Sequence, residues 1–63
     1  MLEDLSSREV DVLKLVAGGN SNKKIASRLF ISVDTVKTHI QSIIKKLGAR
    51  NRTHAVILAM KKD

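Results

Sequence analysis

The chain has no cysteine, proline, tyrosine or tryptophan, and its one aromatic residue is Phe30. Without cysteine, neither disulfides nor a thiolate metal site can reinforce the fold, so packing must do so. His39 and His54 stand alone, with no acidic or thiol ligand at metal spacing, and no zinc site is expected. A single aromatic leaves almost nothing to stack on unpaired bases, which argues against single-strand or RNA binding. No apolar run approaches the roughly 18 residues of a membrane span, and no signal-peptide layout is visible. A cytoplasmic protein is therefore expected. Acids are scarce: there are six, and four of them fall in the first eleven residues. No glycine-rich phosphate loop, paired catalytic carboxylates or nucleophile–base arrangement appears. Neither enzyme activity, nor a cofactor, nor a small-molecule ligand is expected.

What remains is a basic, aliphatic chain of 63 residues with three glycines and a net charge of +6. A domain of this size buries only about 60% of its unfolded surface, so modest stability is expected. The charge is unevenly placed. Residues 1–22 hold two bases against four acids, a net of −2, while residues 23–63 hold ten bases against two acids, a net of +8. A polyanion is the natural partner for the second part, although a solvated basic surface would show the same charge.

The apolar spacing predicts an all-α fold of four helices, at about residues 7–17, 22–29, 33–47 and 52–61, within a single domain spanning 1–63. Ser6-Ser7-Arg8-Glu9 reads as a capping box, with Leu5 and Val10 placed to form a hydrophobic staple. The first helix would turn Val10, Leu13, Val16 and Ala17 inward and end at Gly18-Gly19. Ser21 or Asn22 caps the second helix, whose inward residues are Ile25, Ala26 and Leu29. Phe30-Ile31-Ser32 forms a tight turn, Ser32 caps the third helix, Gly48 stops it, and Asn51 caps the fourth. Ala26, Ile31 and Val36 sit five residues apart across that turn. A helix-turn-helix needs a small residue at the first of these positions and apolar plugs at the other two.

The third helix is the most informative element. With about 100° per residue, Val33, Val36, Ile40, Ile43, Ile44 and Leu47 lie within about 60° of Ile40. Asp34, Thr38, Gln41 and Lys45 gather on the far side, with Lys37 on the shoulder. Such a set suits a helix that reads the major groove. Lys37 can donate to guanine, or hold phosphate only; Thr38 and Gln41 could meet a thymine methyl and an adenine. Lys23, Ser32, Thr35, Lys45, Arg50 and Arg52 are phosphate candidates, and Lys46 reads as a solvated flank. On the fourth helix, Ala55 to Met60 are all apolar. Ala55, Leu58 and Ala59 can close the core. Val56, Ile57 and Met60 would then either tuck into the same domain or be covered by a second copy. A lipid-surface peptide is a second rival, but the polar faces are rich in uncharged Ser, Thr, Asn and Gln. A pure dimerisation module would leave the polar set of the third helix without a purpose.

Four segments resemble the DNA-binding domain of the LuxR family, the NarL/FixJ type. They are Leu5-Ser6-Ser7-Arg8-Glu9, Ser21-Asn22-Lys23-Lys24-Ile25-Ala26, Ile31-Ser32-Val33-Asp34-Thr35-Val36-Lys37-Thr38-His39, and Lys46-Leu47-Gly48-Ala49-Arg50-Asn51-Arg52-Thr53-His54-Ala55-Val56. The resemblance implies bacterial transcription regulation through double-stranded DNA with paired half-sites. It implies base contacts from Asp34, Lys37, Thr38 and Gln41, and a homodimer through Thr53, Ile57 and Met60. RNA polymerase is a candidate partner for such a regulator. The resemblance also implies an excised effector domain of a response regulator, or a stand-alone form. Three positions depart from the family pattern: Asp34, where a base or neutral residue is common; Lys24, in place of a glutamate; and Ser42, in place of an asparagine.

Overall fold

The computed structural model describes residues 4–61, and these form four helices with no strand among them. They are α1 (Ser7–Ala17), α2 (Asn22–Leu29), α3 (Val33–Leu47) and α4 (Arg52–Met60). Only the end of α4 differs from the sequence expectation, by one residue. Each helix starts where a side-chain oxygen takes up a free amide of the first turn. Ser6 Oγ accepts from Glu9 N–H at 3.1 Å, and Ser21 Oγ accepts from Lys24 N–H at 3.1 Å. Ser32 Oγ accepts from Thr35 N–H at 3.0 Å, and Asn51 Oδ1 accepts from His54 N–H at 2.8 Å. The capping box is closed by Glu9 Oε1, which accepts from Ser6 N–H at 2.9 Å.

The stops differ from one another. After α1 the left-handed position falls on Gly19 (φ 84°), one residue later than Gly18, and after α3 it falls on Gly48 (φ 66°). After α2 it falls on Phe30, at φ 58° and ψ 43°. A bulky L-residue in that region costs about 1–2 kcal/mol relative to right-handed backbone.

Helix α3 packs against α1, α2 and α4, so it is the element on which the core is assembled. Val36, Ile40, Ile43 and Leu47 are buried along it, meeting Val12, Leu13, Ile25, Ala26 and Ala55 from the other helices. The helix-turn-helix triad holds: Ala26 and Val36 are buried in the core, and Ile31 packs partly buried against that core. Two expectations about the core are corrected. Val33, placed on the apolar stripe, is exposed, because the first turn of α3 reaches beyond the core. On α1 the inward face is turned from the expected one: Val12 is fully buried, Val10 is only partly so, and Ala17 is exposed.

Glu9 also occupies a place on the buried face of α1 while carrying a charge. Its Oε1 accepts from Lys46 Nζ at 2.8 Å, and its Oε2 accepts from the Ser42 hydroxyl. Lys46 is thus an ion-pair partner of α1, in place of the solvated flank expected for it. Burial alone would raise the carboxyl pKa. The hydrogen bonds from Lys46, Ser42 and the Ser6 backbone, with the Lys46 charge, overcome burial and lower it from 4.5 to about 2.

A depressed carboxyl pKa stabilises the fold above the unfolded value and ceases to do so as pH falls toward the folded one. The stability gap between the native chain and Glu9→Gln should therefore close between about pH 5 and pH 2, with a full span of at most a few kcal/mol. Denaturant unfolding at several pH values measures it; a gap that ignores pH would contradict the ion pair.

Candidate nucleic-acid interface

Because one side of α3 is sealed by the core, its remaining surface is fixed in direction. Asp34, Lys37, Thr38, Gln41 and Lys45 are all exposed, and the structure brings them together on the solvent side of this one helix. Thr38 Oγ1 donates to the Asp34 carbonyl at 3.1 Å. With its proton engaged there, Thr38 has a methyl and an acceptor to offer outward. Asp34, in the first turn, sits where the helix dipole favours a negative charge.

The start of α3 adds Ser32 and Thr35, whose hydroxyls share a hydrogen bond of 2.8 Å while Ser32 caps the helix. The α2 helix carries Lys23, Lys24 and Arg28 and no acid, all three bases exposed. With Ser21 and Ser27 they line a shallow depression of about 240 Å³. Of these three bases, the sequence points to Lys23 alone as a phosphate candidate. Arg28 could have been found from its position four residues beyond Lys24, which puts both on one face of the helix.

The other basic candidates divide by what already holds them. Lys37 and Lys45 are exposed and, among the described residues, bridge to no carboxylate. Lys46 is held by Glu9. Arg52 is half-buried and acts as a strut: Nη1 donates to Asn22 Oδ1, and Nη2 donates to the Asn20 carbonyl at 3.1 Å. It joins the start of α4 to the loop before α2. Arg50 has an exposed side chain, and its backbone N–H donates to His54 Nδ1 at 2.9 Å. That bond gives His54 a structural duty, and it requires the proton of the neutral ring to sit on Nε2.

Along α4, Thr53, Ile57 and Met60 face outward, with Ile57 45% and Met60 69% exposed. Val56 is half-buried and lines, with Val10, Leu13, Ala17, Ala59 and Met60, a cleft of about 340 Å³ between α1 and α4. The apolar surplus of α4 is therefore split between this cleft and an open strip.

Residues 3–59 match the family described as bacterial regulatory proteins, luxR family. The transcriptional regulatory protein LiaR of Bacillus subtilis (strain 168) is 47% identical over 57 residues, covering 90% of this chain and 27% of that protein. The response regulator protein VraR of Staphylococcus aureus (strain Mu3) is 48% identical over 59 residues, covering 94% and 28%. The chain thus spans little more than a quarter of these relatives. Among solved structures, the response regulator ChrA of a heme-sensing two-component system superposes with a TM-score of 0.87 at 46% identity, covering 92% of this chain and 29% of that one.

The division of the lysines is testable with duplex DNA. Lys45→Ala should lower the slope of log affinity against log salt by about one, the signature of one lost phosphate contact. Lys46→Met should leave that slope unchanged and lower folding stability instead. Equal slope changes in the two variants would contradict the division.

Proposed function

This chain belongs to the luxR family of bacterial regulatory proteins, as a DNA-binding helix-turn-helix domain of transcription regulation, and from that premise we propose that it reads double-stranded DNA with α3 in the major groove. The observation that carries this reading is the two-sided character of α3: a buried row of Val36, Ile40, Ile43 and Leu47 backs an exposed row of hydrogen-bonding side chains. From Asp34 to Lys45 the row is about 16 Å long at 1.5 Å per residue. That is on the order of five base-pair steps, the reach of one half-site reader.

In this reading Lys37, Thr38 and Gln41 meet base edges, with Thr38 using its methyl against thymine. Asp34 accepts from a cytosine amine or serves the helix dipole alone. Lys23, Ser32, Thr35, Lys45 and Arg50 hold phosphates, joined by Arg52 through the N–H groups that its strut leaves over. Two copies pair through Thr53, Val56, Ile57 and Met60, presenting two α3 helices to paired half-sites. The chain acts in the bacterial cytoplasm, on the nucleoid, with RNA polymerase as its downstream partner. It serves as the effector domain of a response regulator or as a stand-alone regulator.

Lys37→Ala should cost about 1–3 kcal/mol on a duplex selected by the native chain from a random pool, and much less on unselected DNA. Equal losses on both would reduce Lys37 to a phosphate contact, and a native chain without any sequence preference would overturn the reading. Ile57→Asp should weaken cooperative binding to paired half-sites while leaving the fold intact, since Ile57 is already half exposed. Gel-shift titrations on one and two half-sites, with circular dichroism as the folding control, measure both effects. Unchanged cooperativity would remove α4 from the interface.

A further inference from the structure

Phe30 is the chain's only aromatic residue, and it is 94% exposed. Its backbone lies in the left-handed region, the sole non-glycine residue among those described to do so. Where the chain needs that conformation elsewhere it uses glycine, at Gly19 and Gly48. A glycine or asparagine would end α2 with less strain, and would remove a wet apolar ring. Nothing in the fold is gained by the side chain, which buries next to none of its surface. A residue that is unfavourable both in backbone and in solvent, and useful to neither core nor cap, points to a contact outside the chain.

Its place in the fold says what that contact is. Phe30 sits between α2 and α3, two residues before the Ser32 cap. In a docked helix-turn-helix the first helix of the pair crosses the backbone and the second enters the groove by its N-terminal end. The turn between them therefore lies at the wall of the groove, where apolar deoxyribose edges are exposed between phosphates. The surroundings have the matching charge: α2 contributes Lys23, Lys24 and Arg28 and no acid. Val33, exposed three residues further on, extends the apolar surface toward the groove. We infer that Phe30 is a DNA contact, its ring packing on the deoxyribose edge of the strand that borders α3. The inference rests on the docking of α3 proposed above.

An apolar contact releases no counterions, so it is separable from a phosphate contact by its salt dependence. The test compares this chain with Phe30→Asn, Phe30→Tyr and Lys37→Ala on a duplex selected by the native chain. Phe30→Asn should fold with equal or greater stability and bind roughly three- to tenfold more weakly, as expected for losing part of one ring's burial. Its slope of log affinity against log salt should stay that of the native chain, and Phe30→Tyr should restore most of the affinity. If Phe30→Asn binds like the native chain while Lys37→Ala is weakened, the ring is no DNA contact and the docking of α3 stands. If both variants bind like the native chain, the docking itself has failed. A loss in Phe30→Asn accompanied by a shallower salt slope would also overturn the inference, since the ring would then act by placing the bases around it.

Discussion

The Glu9 carboxylate closes the capping box of α1 and, more than thirty residues later in sequence, holds Ser42 and Lys46 on α3. Apolar packing is non-directional, so a row of valines and isoleucines tolerates small rotations of a helix about its own axis. A carboxylate with three donors around its two oxygens does not. Ser42 and Lys46 flank the exposed row on α3, so the rotation that satisfies Glu9 is also the rotation that presents Lys37, Thr38 and Gln41 to solvent. The price is a charge inside a small core, which is tolerated because every buried side-chain polar atom among the described residues has a partner.

That arrangement redistributes the positive charge. Counted along the sequence, the second part of the chain holds ten bases that look interchangeable. In the fold, Lys46 is neutralised by Glu9 and two nitrogens of Arg52 are committed to Asn22 and Asn20. Lys23, Lys24, Arg28, Lys37 and Lys45 keep their charge outward on α2 and α3. Five free bases thus lie outward on the helix pair that the turn joins, while Lys46 and Arg52 act as fasteners. Arg52 ties α4 to the start of that pair, and Lys46 ties α1 to α3.

Nearly all of the local structure was legible in the residues. Ser6, Ser21, Ser32 and Asn51 signal their helices because capping is decided within three or four residues. Gly48 signals a stop for the same reason. The apolar row on α3 could be read because its periodicity is uninterrupted. On α1 a glutamate on the buried face masks the period, so the spacing points Val10 and Ala17 inward where Val12 belongs. The fastening roles of Lys46 and Arg52 are not legible on similar grounds, since their partners lie 37 and 30 residues away and no local pattern names them. Of the interface, the composition of the α3 face was visible, and so was the apolar surplus of α4. The split of that surplus between a cleft against α1 and an open strip needed the packed helices.

The exposed ring of Phe30 has an experimental consequence of its own. A core built only from aliphatic side chains carries no chromophore, so ordinary ultraviolet fluorescence is blind to whether this molecule is folded. Its one aromatic probe stands at the turn, outside the packing and beside the start of α3. In a proton magnetic-resonance spectrum the phenyl lines are therefore free of overlap from any other phenyl group. They turn an unlabelled sample into a reporter of what touches that corner of the molecule.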